Sequence, residues 1–175
     1  MSTFYPGRVL LLALSVAATA CTTYKPQDLR AGLSETDVTQ LMGQPTGRYS
    51  GPQGQTRLEF ATGPYGRTTW MVDMDAAGKS IAWAQVLNEA SFSNVQLSFQ
   101  GKDQAWLRYT LGRPGDVRGG GWQGGQVWSW RYPTNECFWY QVSILDSGQL
   151  RDGGAYGIDW RCDAGSFGSG GSWSR

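Results

Sequence analysis

Apolar residues along this chain follow two rhythms, and the pair of rhythms occurs twice. In 34–45, Val38, Leu41 and Met42 recur at i, i+3 and i+4 and mark one face of a short helix. Ser34 is placed to cap it, with Asp37 completing a capping box. Gly43 supplies a left-handed residue after the last turn, and Pro45 prevents continuation. Leu58-Glu59-Phe60 and Trp70-Met71-Val72-Asp73-Met74 then alternate with period two and read as half-buried strands. Asp75-Ala76-Ala77-Gly78 closes a hairpin with Gly78 at positive φ, and a third strand follows over 79–87.

The second occurrence is in register. Gly32, Gly43 and Pro45 reappear 69 residues later as Gly101, Gly112 and Pro114, with Asp103 as the cap and Leu107 and Leu111 as the buried face. Trp106 stands where the capping-box carboxylate would be, so this helix is capped on one side only. Phe60 maps to Trp130, Val72 to Val142 and Gly78 to Gly148, now 70 residues apart, which requires one inserted loop residue. A third strand over 149–159 completes the copy. The expected fold is therefore α+β: two tandem units, each one or two short helices packed on a three- to four-stranded antiparallel meander. The glycine-rich stretch 115–125 reads as a mobile loop, and 164–175, rich in Gly and Ser, as a disordered tail.

The first twenty residues belong to neither unit. Arg8 is their only charge, the apolar run Val9–Ala18 follows, and Thr19-Ala20-Cys21 ends it. That is the layout of a secretory signal peptide, and the run is too short to cross a bilayer. Ala18-Thr19-Ala20-Cys21 resembles the lipobox of bacterial lipoproteins, with Ala18 where Leu is usual. The resemblance implies cleavage before Cys21 and acylation of its sulfur. With Thr22 rather than Asp next, it also implies the periplasmic face of an outer membrane. The expected domains are a signal peptide (1–20), a lipidated tether (21–28), a first unit (29–91), a second unit (92–163) and the tail. The 155 residues left after cleavage carry balanced charge, 14 basic against 14 acidic, which argues against a nucleic-acid partner. In such an oxidising compartment Cys137 and Cys162 are expected to form a structural disulfide. It would contribute about 3 kcal/mol in the loop-entropy account.

The repeated pattern resembles the SmpA/OmlA (BamE-like) outer-membrane lipoprotein family. The residues carrying the likeness are Gly32…Val38-x-x-Leu41-x-Gly43-x-Pro45 with Trp70, Val72 and Gly78. In the second copy they are Gly101…Leu107…Leu111-Gly112-Arg113-Pro114, Trp128-Ser129-Trp130-Arg131-Tyr132, Val142 and Gly148. The resemblance implies an α+β fold, protein or lipid partners and a place in outer-membrane assembly or maintenance. A typical member has one unit; two units and the Cys137/Cys162 pair are departures. The doubled arrangement is similar in architecture to the β-lactamase inhibitor proteins, which present a concave sheet to an enzyme.

Little else points to chemistry. The chain has no histidine, which removes Ser-His-Asp and Cys-His mechanisms and most zinc catalysis. Gly119-x-Gly121-x-x-Gly124 precedes a strand rather than opening a helix, so it is not a dinucleotide fingerprint. Asp73-Met74-Asp75 begins like a calcium loop but lacks the later ligands. Asp146 and Asp152 flank turns and read as solvated turn carboxylates. No cofactor or metal is expected. Aromatic residues crowd the second unit, and consecutive Phe138, Trp139 and Tyr140 must face both sides of their strand. Packing between units accounts for part of this; Trp122 and Trp139 are the candidates for binding a partner. The expected function is a non-catalytic lipoprotein that supports outer-membrane protein assembly or envelope integrity through a protein partner, with barrel-assembly components as the candidates. The alternative is a periplasmic module that occludes an enzyme with its concave sheet. Cys21→Ser should move the protein from the membrane fraction to the soluble fraction, and unchanged fractionation would refute the anchor.

Overall fold

A computed structural model describes residues 24–62, 67–120, 122, 124–132, 137–159 and 162. The expected signal peptide, Cys21 and the 164–175 tail lie outside them. Among the described residues the fold is α+β, with three α-helices and two four-stranded antiparallel sheets. Helix α1 (Glu35–Met42) precedes β1 (Gly47–Ser50), β2 (Thr56–Thr62), β3 (Thr68–Met74) and β4 (Ser80–Gln85). Helices α2 (Glu89–Ser98) and α3 (Gln104–Leu111) precede β5 (Asp116–Gly119), β6 (Gln126–Arg131), β7 (Phe138–Ile144) and β8 (Ala155–Ile158). Each sheet is a simple meander, with strands hydrogen-bonded in chain order.

Local chemistry sets the ends of the elements. The Asp37 N–H donates to the Ser34 hydroxyl (3.2 Å) while the Ser34 N–H donates to the Asp37 carboxylate (3.0 Å), a complete capping box. Asp103 caps α3 alone, accepting from the Trp106 N–H at 2.9 Å. Gly43 and Gly112 close their helices at φ 83° and 82° with ψ −169° and −170°. This is not the left-handed helical conformation expected of Gly43 but the extended positive-φ region, open essentially to glycine alone. The two hairpin turns match as well: Gly78 and Gly148 donate to the carbonyls of Asp75 (3.0 Å) and Leu145 (2.8 Å). Each helix cap then bridges to its hairpin, Ser34 to Lys79 and Asp103 to Gln149.

Four expectations need correction. Residues 116–119 of the supposed mobile loop are strand β5, paired with β6 from Asp116↔Ser129 to Gly119↔Gln126. Glycine is needed in the turn that follows, because a Cβ on Gly125 would lie 2.0 Å from the Ile144 carbonyl oxygen. The third strand of the second sheet is not continuous over 149–159. Leu150 bridges to Ile144, and then the Asp152 carboxylate turns the chain by accepting from the N–H groups of Ser143 (3.1 Å) and Gly154 (3.0 Å). Only after that does β8 begin. The detour lets Gly153 pass against α2, where a Cβ would come within 2.8 Å of Gln96 Cα. A boundary between 91 and 92 cuts helix α2, whose cap is Asn88, accepting from the Ser91 N–H at 2.9 Å. Finally, the tether is already folded at its end: Pro26–Asp28 forms a 3-10 turn, the Lys25 N–H donates to the Leu41 carbonyl (2.9 Å), and Tyr24 packs on the first core.

The layers run α1, first sheet, α2 with α3, second sheet. Even-numbered residues of β2 and β3 (Leu58, Phe60, Val72, Met74) meet Val38 and Met42 of α1. Odd-numbered Met71 points the other way and joins a second core with Phe92, Leu107, Leu111, Trp128 and Trp130. Helix α3 thereby touches both sheets, through Leu107 and Leu111 in the second core and Tyr109 under Arg57.

The seam is polar where it is most constrained. Glu59 on β2 is 0 % exposed. Its carboxylate accepts from the Thr46 hydroxyl (2.9 Å), the Tyr49 hydroxyl and the Arg113 N–H (3.0 Å). Arg57 clamps Asp73 with two N–H groups (2.5 and 2.8 Å), donates to the Tyr109 carbonyl (3.0 Å) and lies over the Tyr109 ring at 4.2 Å. Gly112 fits between them: a Cβ there would stand 2.9 Å from Thr69 and 3.1 Å from Glu59. Its carbonyl accepts from the indole N–H of Trp130 at 3.0 Å.

Glu59→Ala strands three donors in this seam and should cost about 3 kcal/mol or more in urea unfolding. Gly112→Ala should cost about 1–3 kcal/mol from backbone strain alone. An unchanged unfolding midpoint in either variant would contradict this account of the seam.

Candidate functional site

The face of the second sheet that carries α2 and α3 is longer than its helical cover. Even-numbered residues of β6, β7 and β8 point to that face, and Tyr140 stacks on Phe92 of α2 with centroids 4.4 Å apart and planes 18° apart. One turn earlier α2 begins, at Glu89. Beyond that start the cover thins: Tyr132 and Tyr156 still reach Phe92 with their rings (6.3 and 6.2 Å), while Phe138, Tyr156 and Ile158 are exposed. Phe138 is 39 % exposed, Tyr156 46 % and Ile158 53 %. Glu89, Tyr132, Phe138 and Tyr156 line a cleft of about 240 Å³.

The Glu89 carboxylate organises this cleft. It accepts from the Tyr132 hydroxyl on one oxygen and from the Tyr156 hydroxyl, at 2.5 Å, on the other. Those hydrogen bonds hold its pKa below the usual carboxylate range. Burial first, and then the hydrogen bond to and charge of Glu89, push the Tyr156 phenol up to about 12. Burial likewise raises the Tyr140 phenol, whose hydroxyl donates to the Gly153 carbonyl. The Tyr132 and Tyr156 rings meet edge to face at 5.6 Å and 90°, and Tyr132 and Phe138 at 6.4 Å and 84°.

The residues singled out from the sequence are dispersed. Cys137 and Cys162 form a disulfide with Cα atoms 5.7 Å apart. Beside it the Asp159 N–H donates to the Cys137 carbonyl (2.7 Å), so the bridge braces the start of β7 and with it Phe138. Trp122 stands between β5 and β6 with its ring fully exposed. Trp139 is a correction. It is 2 % exposed, on the opposite face of β7 from Phe138, with the Arg131 guanidinium 4.5 Å over its ring, so it offers no surface to a partner. Of the three consecutive aromatics it is Phe138 that is accessible. Asp146 and Asp152 do not converge on a site; Asp146 accepts from the Gly125 N–H at 2.9 Å and Asp152 holds the turn before β8. Asp75 is likewise occupied by the N–H groups of Ala77 (2.9 Å) and Lys79 (2.8 Å).

Sequence reasoning missed Glu89. The signal was Asn88-Glu89, a cap residue followed by an acid in a first helical turn. Its two phenol partners come from strands 43 and 67 residues away, and no local pattern announces such a meeting.

No protein-family model matches the chain, and neither a curated protein nor a solved structure matches it.

The Glu89–Tyr156 pair makes a pH prediction. The folded Tyr156 phenol titrates above the ordinary value near 10, so its contribution to stability is complete below pH 10 and is lost as the pH rises towards about 12. Glu89 behaves oppositely: its contribution is present above the usual carboxylate range and is lost on acidification through its lowered value. Alkaline titration followed by tyrosinate absorbance should show late-ionising phenols, one fewer in Tyr156→Phe. An ordinary titration midpoint for Tyr156 would contradict the pairing.

Proposed function

We propose that this chain is a non-catalytic outer-membrane lipoprotein of the SmpA/OmlA (BamE-like) kind, made of two tandem units and anchored by lipid on Cys21. On the periplasmic face it supports outer-membrane protein assembly or envelope integrity by binding a protein partner. The tandem reading is supported by the recurrence, 69 to 70 residues apart, of the cap, the terminal glycine, the hairpin turn and the bridge between cap and hairpin. The lipid anchor rests on the sequence around Cys21. No helix among the described residues is long and apolar enough to cross a membrane.

The observation that carries the docking role is the uncovered aromatic end of the second sheet. Phe138, Tyr156 and Ile158 form a contiguous apolar surface, held in place by the disulfide and by Glu89. Large rings exposed on a well-held backbone can bind a partner without much side-chain ordering cost. Co-purification from detergent-solubilised membranes tests the role. Barrel-assembly components should accompany the wild-type protein and be depleted for the double variant Phe138→Ser/Tyr156→Ser. A hydrolase bound near stoichiometrically would point instead to an enzyme-occluding module.

A further inference from the structure

The cleft at Glu89 has a chemistry that the docking of an apolar partner surface does not use. We infer that it binds a quaternary ammonium group, such as the trimethylammonium of choline, among Glu89, Tyr132, Phe138 and Tyr156.

Charge is the first reason. Glu89 is an exposed carboxylate whose polar partners among the described residues are two neutral phenols, so its negative charge is not cancelled by any neighbouring cation. Each phenol that donates to it also gains electron density in its ring. The faces of aromatic rings attract cations, and a full negative charge at the rim adds to that attraction.

Geometry is the second. Tyr132 meets Tyr156 at 90° and Phe138 at 84°. Rings set at right angles form a corner rather than a stack, and Phe138 and Tyr156 carry its exposed side. Tyr132 is itself stacked on Phe92 (6.3 Å, 29°), whereas Phe138 and Tyr156 stay 39 % and 46 % exposed and supply the open ring surface. The volume of about 240 Å³ suits a compact methylated head rather than an extended chain.

The third reason separates a methylated cation from arginine, lysine or plain ammonium. Both Glu89 oxygens already accept from phenols. A guanidinium or primary ammonium would bring several N–H donors into a mainly apolar cleft with few acceptors left, and each unmet donor costs free energy. A quaternary ammonium has no N–H to satisfy. Its methyl groups pack on the rings while its charge faces Glu89.

The test uses the full chain purified in a non-ionic detergent, titrated with choline by calorimetry and by proton NMR. Saturable binding is expected, with the choline methyl resonance moved upfield by the ring faces. The neutral isostere 3,3-dimethylbutan-1-ol should bind at least about tenfold more weakly, because it lacks the charge. Glu89→Gln keeps an acceptor for the phenols but removes the charge, and should weaken choline about tenfold. Phe138→Leu keeps apolar volume without a ring face, preserves the packing, and should weaken choline about two- to fivefold. Phosphocholine separates a lipid headgroup from a free cation: affinity equal to choline's indicates the headgroup, and weaker affinity the free cation. Absence of saturable choline binding, equal binding of the neutral isostere, or unchanged affinity in both variants would overturn the site. None of these outcomes depends on membrane anchoring or on a protein partner, so failure here and failure of the docking role are distinguishable.

Discussion

One carboxylate with no exposure to water sets the relation between the two halves of this protein. Glu59 projects from the face of β2 that α1 does not use, and an ion there would be prohibitively costly if its oxygens were unmet. Its donors come from both sides of the seam. Thr46 and Tyr49 belong to the edge of the first sheet, and the Arg113 N–H to the turn that ends α3. Satisfying the charge therefore places α3 against the first sheet. Gly112 then has no room for a side chain, and its carbonyl receives the Trp130 indole from the second sheet. The two sheets and α3 are placed by one connected set of contacts.

That seam explains why two similar stretches of sequence end in different surroundings. Helix α1 is covered on one side, and the position corresponding to Tyr109 of α3 is Gln40, which is exposed. Helix α3 also meets the first sheet, and there a tyrosine carries the Arg57 guanidinium on its ring while its carbonyl accepts from it. The two helices are capped differently. Ser34 and Asp37 complete each other around α1, whereas α3 has tryptophan in place of the second partner and draws on packing instead.

The cleft is a by-product of length. Helix α2 starts near the end of the sheet it covers, and the rings around that start are only partly covered. A carboxylate at the first helical position reaches two of them, and the disulfide steadies the strand that carries a third. The exposed aromatic surface is thus held by covalent and ionic hydrogen-bonded supports rather than by burial, which is what a surface needs if it is to remain accessible and ordered.

Much of the architecture was legible in the residues because it depends on short-range rules. Capping, the glycine after each helix, period-two alternation and hairpin turns act over a few residues, so Ser34, Asp103, Gly78 and Gly148 announce their roles in the sequence. The spacing of 69 to 70 residues gave the repetition of those roles. Where longer contacts decided, the reading failed. Strand β5 looked like a loop because it runs into a glycine-rich turn in which Gly125 answers to the close approach of the Ile144 carbonyl. The break before β8 answers to α2, and Trp139 seemed available because alternation says which residues share a face but not what covers it. Glu59 reads locally as an outward polar residue of a half-buried strand, and Glu89 as an ordinary first-turn acid. Which donors reach those two carboxylates was decided by the tertiary structure alone, because the donors lie 10 to 67 residues away and meet only when the sheets and helices are stacked.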